Sequence, residues 1–213
     1  MTHPALNVRS LGLEVLADVG TTAHSPRDTI VFRQAEASDS IYYVEEGLVK
    51  LDVASPQGKR AVIGLCGPGS FFGEGCLAGH TLRNATATTL LDSRLVRVPQ
   101  PAMQRLLTSD RPFAELFGAY LVRRVARVEE DLVDLQFNST EKRLARALLL
   151  LASLDDESQS VLAGVTQQML AEIVGTTRPR ISQFIGRFRK RGFISGRGAL
   201  RVHSSLAQVM LED

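Results

Sequence analysis

The stretch from Thr166 to Ile194 reads TQQMLAEIVGTTRPRISQFIGRFRKRGFI and contains two helical patterns separated by a short turn. Thr166 is a favourable N-cap for the first helix, and Gly175 supplies the left-handed residue that ends it. Thr177 is predicted to cap the second helix. Pro179 then lies in the first turn of that helix, where its missing N–H would have no intrahelical partner. This succession of helix, tight turn and helix predicts a helix-turn-helix motif.

The second helix has one apolar face and one polar face. Its apolar residues recur at i, i+3, i+4 and i+7 and are predicted to face a core; they are Ile181, Phe184, Ile185 and Phe188. On the opposite face, arginine suits guanine, glutamine suits adenine, and Gly186 allows close approach to a groove wall. We therefore expect DNA contacts from this face and from the starts of the two helices, namely from Thr166, Gln167, Thr177, Arg178, Pro179, Arg180, Ser182, Gln183 and Arg187.

The charge distribution supports this interpretation. Between Ile173 and Leu211 the sequence contains eight Arg or Lys residues and no Asp or Glu. Residues 138–213 hold 11 basic and 7 acidic residues, a net charge of +4, whereas residues 1–137 hold 14 and 16, a net charge of −2. A basic surface of this kind attracts the phosphates of nucleic acid.

After Gly192, the segment FISGRGALRVH from Phe193 to His203 predicts two short strands around Gly196–Gly198. These strands would make the motif a winged helix-turn-helix. Arg197 at the tip of the wing is then expected to contact phosphate. An ordinary hairpin turn that does not touch DNA is the alternative.

The chain before this motif begins with a helical pattern and continues with strands. Val8 to Val19 has the spacing of a short amphipathic helix. From Thr29 to Val98, turn signals such as Ser55-Pro56-Gln57-Gly58 separate the β-rich runs IVF, SIYYVEE, GLVKLDV, AVIGLC, ATATTLL and SRLVRVP. Many short strands at close spacing indicate a small antiparallel β-barrel or jelly roll, which can hold a ligand. The fold class expected for the whole chain is therefore α+β.

Residues 112–137 return to a helical pattern and contain a heptad seam. The seam residues are spaced alternately by four and three, with charged residues on the flanks; they are Ala114, Gly118, Leu121, Val125, Val128, Leu132 and Leu135. Such a seam predicts a dimerisation helix whose interface residues are the last five, and a helix that packs only on its own barrel is the alternative. Because a helix-turn-helix usually reads two related half-sites, we expect a homodimer on a palindromic operator.

Asn138 is predicted to break this seam and to cap the next helix, with Glu141 three residues later completing a capping box. We interpret this point as a hinge. The expected domains are residues 1–111 for the barrel and its N-terminal helix, residues 112–137 for the dimerisation helix, and residues 138–213 for the winged helix-turn-helix.

The sequence gives no indication of a membrane segment, a signal peptide or a metal site. No apolar run is long enough to span a bilayer, and the N-terminus lacks the apolar core of a signal peptide, so we expect a cytoplasmic protein with no membrane partner. The two cysteines, Cys66 and Cys76, lack partners at metal-ligand spacing, and no metal site is expected. The acidic loop from Asp155 to Ser160 is either solvated or a surface for another protein.

Barrel, dimerisation helix, hinge and winged helix-turn-helix, in this order, resemble the Crp/Fnr family of the bacterial cyclic-AMP receptor protein and the fumarate-nitrate regulator. The resemblance covers nearly the whole chain. Its local signature is PGSFFGE from Pro68 to Glu74, followed at Arg83-Asn84-Ala85-Thr86 by what looks like the family's phosphate-binding cassette. The resemblance implies a transcription regulator rather than an enzyme, with RNA polymerase as a further partner.

The resemblance also implies a ligand site in the barrel, at Gly73, Glu74, Arg83 and Asn84. In the family's cyclic-nucleotide binders, the acid after the glycine holds the ribose hydroxyl, and an arginine followed by a small hydroxyl residue holds the cyclic phosphate. The chemistry agrees, because a carboxylate accepts hydrogen bonds from hydroxyls and a guanidinium forks onto phosphate oxygens.

Two departures from the family pattern bear on the effector. Asn84 stands where the family has Ser or Thr, and Val128-Glu129 stands where the cyclic-AMP receptor has the Thr-Ser pair that reads adenine. Three alternatives stay open: a cyclic nucleotide, another small effector, or no ligand, with Glu74 and Arg83 forming an internal salt bridge. No cofactor is assigned.

Other sensors and an enzyme can be compared with the sequence. An iron–sulfur cluster requires about four cysteine thiolates, and the chain has two. Haem needs an axial ligand to its iron. The histidines of the first half of the chain are scattered, so the sequence gives no support for a haem sensor. A thiol switch through Cys66 and Cys76 stays an alternative to buried structural thiols. A cupin-like metal enzyme needs histidines and a Glu in one cluster, which the sequence lacks.

The resemblance extends to the recognition helix. Arg178, Pro179 and Gln183 match the positions at which the cyclic-AMP receptor uses Arg, Glu and Arg to read bases. Arg178 keeps its type and is the first candidate for a base contact, whereas the side chain of Pro179 cannot form a hydrogen bond. The operator is therefore expected to differ from that of the receptor.

Overall fold

The computed structural model describes residues 8–58, 60–153, 165–196 and 200–211. The chain divides into two compact units, one of residues 1–58 and 64–126 and the other of residues 59–63 and 127–213. The boundary falls inside the long helix predicted at residues 112–137, and each unit is described by itself. None of the helices in the described ranges combines the length and the apolar character that crossing a membrane requires.

The first unit contains a helix followed by a β-roll. The helix predicted at Val8–Val19 is confirmed with these bounds and is called α1. The described strands that follow are Thr21–Ser25 (β1), Ile30–Phe32 (β2), Ser40–Glu46 (β3), Val49–Ala54 (β4), Arg60–Cys66 (β5), Phe71–Phe72 (β6), Thr86–Thr89 (β7) and Ser93–Pro99 (β8). Within the described ranges they form two four-stranded sheets, in the orders β1-β8-β3-β6 and β2-β7-β4-β5. The antiparallel β-roll predicted from the sequence is confirmed.

Two apolar clusters fill this unit. One cluster joins α1 and the first sheet to the helices that follow the sheet, and its centre is Phe71, which is fully buried. The ring of Phe71 lies 4.9 Å from that of Tyr43, 5.1 Å from that of Phe117 and 5.2 Å from that of Tyr120, measured between centroids. The other cluster contains Phe32, Val44, Val49, Leu51, Cys66, Phe72, Ala85, Ala87 and Leu95.

Two elements of the first unit differ from the sequence expectations. Strand β1 has the sequence TTAHS and pairs antiparallel with β8 along its whole length. It is exposed at four of its five positions, so it lacks the apolar alternation by which strands are recognised. Helix α2, Gln100–Ser109, was not predicted and carries Pro101 in its first turn, where proline is tolerated. It buries Ala102, Met103 and Leu106.

The long helix α3 spans Arg111–Phe137, which confirms the helix predicted at residues 112–137. The side chain of Asp110 accepts a hydrogen bond from the N–H of Phe113 at 2.9 Å and so caps its first turn. Phe113 and Phe117 are buried in the cluster around Phe71. The beginning of α3 therefore belongs to the core of the first unit.

The second unit contains the helix-turn-helix. Its elements within the described residues, besides the end of α3, are Thr140–Ser153 (α4), Gln167–Val174 (α5), Arg178–Lys190 (α6), Ile194–Ser195 (β9), Arg201–Val202 (β10) and a 3₁₀ helix at Ser204–Met210. Its core includes the fully buried side chains of Leu144, Leu148, Leu151, Leu170, Ile181, Phe188 and Leu206. Strands β9 and β10 pair antiparallel, as predicted for the wing. The acidic loop 155–160 lies outside the described residues.

The cap at the hinge lies one residue later than predicted. Helix α4 begins at Thr140, and the hydroxyl of Ser139 accepts a hydrogen bond from the N–H of Lys142 at 3.3 Å. The assignment of Asn138 as the N-cap was wrong, because α4 begins at Thr140 and the N-cap position is therefore Ser139; the Nδ2 of Asn138 donates to the carboxylate of Asp134 in the last turn of α3. Glu141, expected to complete the capping box, forms an ion pair with a residue of α6.

Arg143 connects the hinge to the helix-turn-helix. Its Nη1 donates to the carbonyl oxygen of Asn138 at 3.0 Å and to that of Leu135 at 3.5 Å. Its Nε and Nη2 donate to the carbonyl oxygen of Val174, the last residue of α5, at 3.3 and 3.2 Å. One guanidinium thus satisfies carbonyls at the C-terminal ends of two helices, where such groups lack intrahelical donors.

Candidate nucleic-acid interface and effector site

The two helices of the motif begin and end at the residues that the sequence indicated. The hydroxyl of Thr166 accepts a hydrogen bond from the N–H of Met169 at 3.1 Å, and Gly175 ends α5 with a φ of 71°. Thr177 occupies the N-cap position of α6, but its side chain makes no capping hydrogen bond. Pro179 in the second helical position has no N–H, which removes one of the two donors that a capping side chain can bond.

The recognition helix α6 has the two faces that were predicted. Ile181, Phe184, Ile185 and Phe188 are all at most 7% exposed, which confirms the apolar stripe. The predicted DNA contacts Arg178, Pro179, Arg180, Ser182 and Gln183 are all exposed. A Cβ added at Gly186 would meet no other atom within 4 Å among the described residues beyond its own helix, so the surface is open at this position. Thr166 and Thr177 are also exposed, and Gln167 is partly so.

Arg187 differs from the other arginines predicted to touch DNA. Its Nη2 lies 2.8 Å from Oε2 of Glu141 on α4, and its guanidinium lies 4.8 Å from the centroid of the Phe184 ring. Arg180 approaches the same ring at 5.8 Å. Arg187 therefore lies at the edge of the exposed face and already has an acidic partner.

The wing is attached to the recognition helix. Nη2 of Arg189 donates to the carbonyl oxygen of Gly196 at 3.1 Å, directly after β9. The guanidinium of Arg191 lies 4.5 Å from the centroid of the Phe193 ring, which extends this contact to the start of the wing. Arg197, predicted at the wing tip, lies outside the described residues.

Arg83, predicted to hold a phosphate, is 4% exposed and is engaged by its own barrel. Its Nη1 donates to the carbonyl oxygens of Ser40, at 2.7 Å, and Gly73, at 3.1 Å. Its Nη2 donates to the hydroxyl of Ser40 at 3.0 Å. The guanidinium lies 4.2 Å from the centroid of the Phe32 ring, and its Nε has no hydrogen-bond partner. Four contacts thus fix a side chain that the resemblance assigns to a ligand.

An acidic residue and a second arginine complete the surroundings of Arg83. The carboxylate of Asp39 lies 3.6 Å from Nη2 of Arg83 and 3.0 Å from Nη2 of Arg97. A hydrogen bond from the Ser40 hydroxyl, together with the charge and hydrogen bond of Arg97, keeps the pKa of Asp39 below its ordinary value. Arg83 therefore has an acidic partner within the barrel, and it shares the single charge of Asp39 with Arg97.

The other predicted ligand residues also have partners. Glu74 forms an ion pair with Arg124 of α3 at 2.5 Å, and the exposed amide of Asn84 lies 2.9 Å from the ring of His80. The alternative of a salt bridge between Glu74 and Arg83 was wrong, because each of the two residues pairs elsewhere. Gly73 has a φ of 79°, and a Cβ there would lie 2.6 Å from Nη1 of Arg83. The glycine makes room for the arginine.

These side chains do not fit a cyclic nucleotide as they stand. A cyclic phosphate needs the terminal nitrogens of Arg83, which donate to Ser40 and Gly73. A ribose hydroxyl needs the carboxylate of Glu74, which Arg124 occupies. A ligand would have to replace these contacts with equally good ones before it added any affinity.

Tyr120 is a residue of this site that sequence reasoning missed. Strand β6 lies at the edge of the first sheet, and the hydroxyl of Tyr120 accepts from the N–H of Phe71 at 2.9 Å and donates to its carbonyl oxygen at 2.7 Å. Nη1 of Arg124 donates to the same carbonyl at 3.2 Å. Burial raises the pKa of Tyr120 to about 12. In the sequence Tyr120 is only a tyrosine next to a heptad seam. Nothing near it indicates that its hydroxyl bonds to Phe71, 49 residues away.

The two cysteines are free thiols in the interior of the protein. Cys66 and Cys76 are both buried, and burial raises the pKa of the Cys76 thiol, so little of the reactive thiolate forms. Within the described ranges, no three His, Cys, Asp or Glu side chains lie where they could hold a metal ion together.

Comparison with known proteins gives two domain matches. Residues 23–110 match the cyclic nucleotide-binding domain, and residues 142–205 match the Crp-like helix-turn-helix domain. The CRP-like cAMP-activated global transcriptional regulator of Mycobacterium tuberculosis H37Rv is 30% identical over 174 residues, which cover 79% of this chain and 77% of the relative. The transcriptional regulator SdrP of Thermus thermophilus is 29% identical over 189 residues, or 83% of this chain and 90% of the relative.

Solved structures share the fold at lower identity. The structure of FixK2 from Bradyrhizobium japonicum matches with a TM-score of 0.79 at 17% identity, covering 92% of this chain and 98% of that one. At this identity the likeness shows the common fold and nothing about a ligand.

Replacing Tyr120 with phenylalanine tests the contact between β6 and α3. Tyr120→Phe leaves the N–H of Phe71 without its acceptor, and a buried backbone group that loses its partner costs about 1 to 3 kcal/mol. We expect the free energy of unfolding, measured by urea denaturation at neutral pH, to fall by this amount. Tyr42→Phe, which also removes one hydroxyl from this unit, is the control and should cost less.

The pH dependence gives a second measurement on the same variant. Because the pKa of Tyr120 rises from 10.0 to about 12 on folding, the unfolded chain loses this proton first. Stability should therefore fall as the pH rises from about 10 to about 12, and Tyr120→Phe should fall less steeply over this window. Equal slopes for the two proteins would contradict the burial of the hydroxyl.

Proposed function

Because the chain belongs to the Crp/Fnr family of DNA-binding transcription regulators, we propose that it acts as a homodimer in which α6 of each subunit reads one half of a palindromic operator. In this proposal residues 1–111 form the regulatory domain, residues 112–137 the dimerisation helix and residues 138–213 the DNA-binding domain. The regulator works in the cytoplasm, with RNA polymerase as a further partner.

The observation that carries the DNA contact is the exposed, basic face of α6. Arg178 and Gln183 have the donor and acceptor groups that suit base edges, and they project from a helix whose other face is buried. Arg178 lies at the first position of the helix, and in helix-turn-helix proteins the N-terminal residues of this helix contact the bases.

The exposed seam of α3 supports the homodimer. Val125, Val128, Leu132 and Leu135 are 55% to 57% exposed although they repeat at heptad spacing. Leu121 differs, because it packs against the cluster around Phe71. A continuous apolar seam in contact with water is unfavourable, and a second copy of the same helix would cover it with matching residues.

The barrel in this proposal is held by its own side chains and needs no cyclic nucleotide. The support is the set of contacts already made by Arg83 and Glu74, together with the replacement of the adenine-reading pair by Val128-Glu129. The thiol alternative finds no support in two buried cysteines.

Arg178→Ala is expected to weaken binding to an operator selected from random duplexes by about 1 to 3 kcal/mol and to relax the preference at one base pair. Random-sequence duplex should be bound almost as well as before, because base contacts contribute little there. Fluorescence anisotropy on both duplexes measures the two effects. The control is Lys190→Ala, which removes one charge from the other end of α6; equal losses on the two duplexes would assign Arg178 to phosphate.

Val128→Arg is expected to dissociate the dimer, because it places like charges opposite each other in the seam. Analytical ultracentrifugation should then show a monomer, and operator binding should be lost. Val133→Arg changes a residue that is 55% exposed and lies outside the seam and its flanking positions, so this variant should remain dimeric. A dimeric Val128→Arg protein would remove the seam from the interface.

Cyclic AMP, cyclic GMP and cyclic di-GMP are expected to leave the thermal unfolding of the protein unchanged. A ligand that binds only the folded state at 100 times its dissociation constant adds about 2.7 kcal/mol of stability, which the measurement would detect. Stabilisation by any of these nucleotides that disappears in Arg83→Lys would restore the ligand-gated alternative.

A further inference from the structure

The ion pair between Arg187 and Glu141 joins the recognition helix to the start of α4. Glu141 lies in the first turn of α4, and its side chain is 24% exposed, whereas that of Arg187 is 56% exposed. Within the described ranges, Arg178 and Arg180 of the same helix have no acidic partner in reach. One of the three arginines predicted to touch DNA from α6 is thus neutralised and two are not.

Arg187, the arginine that is paired with a carboxylate, lies at the edge of the surface that is predicted to face DNA. Arg180 and Arg187 are seven residues apart, two helical turns, so they lie on one side of the helix, and both guanidinium groups approach the ring of Phe184. A DNA strand that follows this edge would pass both guanidinium groups. It would find Arg180 available and Arg187 bound to a carboxylate.

We propose that Glu141 and a DNA phosphate compete for Arg187, so that Glu141 sets how strongly the protein holds DNA of any sequence. The proposal rests on the proposed function, since it requires α6 to dock on DNA. In the unbound protein Arg187 pairs with Glu141. On DNA its guanidinium can move to a phosphate, and the carboxylate loses its partner and returns to water.

The chemistry of the pair suits an exchange. Both side chains reach solvent, and ion pairs of this kind hold weakly, so the arginine can leave without a large loss. Phosphate accepts the same forked donors as a carboxylate. Because phosphates occur at every base pair, the competition lowers binding to all sequences by the same factor and leaves base contacts to distinguish the operator.

A double-mutant cycle on random-sequence duplex DNA tests the proposal. The proteins are wild type, Glu141→Gln, Arg187→Ala and the double variant, each measured by fluorescence anisotropy over a series of salt concentrations. Glu141→Gln should bind more tightly, with a salt dependence steeper by up to about one unit of slope, because Arg187 then reaches phosphate without competition. Arg187→Ala should cost less affinity in the wild-type background, where Glu141 competes for the guanidinium, than in the Glu141→Gln background, where it should remove the whole gain.

A matched control separates this effect from overall charge. Glu172→Gln removes one carboxylate from α5 of the same unit without touching Arg187, and it should change neither the affinity nor the salt slope as Glu141→Gln does. Thermal unfolding of every variant checks that the fold is kept. If Glu141→Gln unfolds, Glu141→Ala provides the second variant, and it should show the same gain in affinity on random duplex; no gain would overturn the competition.

The outcomes distinguish the inference from the proposed function. Unchanged or weaker binding by Glu141→Gln, or an Arg187→Ala loss that is as large with Glu141 as without it, overturns the competition while DNA binding itself stands. A wild-type protein that binds no duplex at low salt overturns the proposed function as well.

Discussion

The packing of Phe71 against α3 is the contact on which the first unit depends. The ring of Phe71 is buried among aromatic rings from β3 and α3, and its backbone lies at the edge of a sheet, where no further strand can satisfy it. The Tyr120 hydroxyl and the Arg124 guanidinium take the place of that strand. Arg124 then reaches on to Glu74, three residues further along the chain. The turn that carries the family signature is therefore fastened to α3 by a ring, a hydroxyl and a guanidinium.

Periodic features of the fold could be predicted from the sequence because they depend on neighbours within a few turns. The stripe from Ile181 to Phe188 and the helix at Val8–Val19 follow from spacing alone, and both are confirmed. Strand β1 could not be predicted because its stability comes from pairing with β8, about 70 residues later, and not from its own exposed side chains. Asn138 was assigned a capping role that Ser139 fills, because Asn and Ser are equally good caps in a sequence and only the start of α4 at Thr140 selects Ser139.

The candidate sites also contain residues that could be predicted from local spacing and residues that could not. The exposed face of α6 follows from the period of one helix, so its residues could be named in advance. The partners of Arg83 could not, since Ser40 lies 43 residues away and the glycine that admits the guanidinium is ten residues away. Family resemblance identified Arg83 as important, but its burial and its hydrogen bonds are properties of the folded barrel. Arg187 and Glu141 are a similar case, because nothing near either residue indicates the other.

Arg143 gives the second unit a mechanical property. Its guanidinium bonds the carbonyls of Leu135 and Asn138, where α3 runs into the hinge, and the carbonyl of Val174, where α5 ends. A planar group bonded on several edges resists both stretching and twisting, in contrast to a flexible linker. Arg143 therefore couples the C-terminal end of α3 to the C-terminal end of α5. A rotation of the last turn of α3 is expected to move α5 with it.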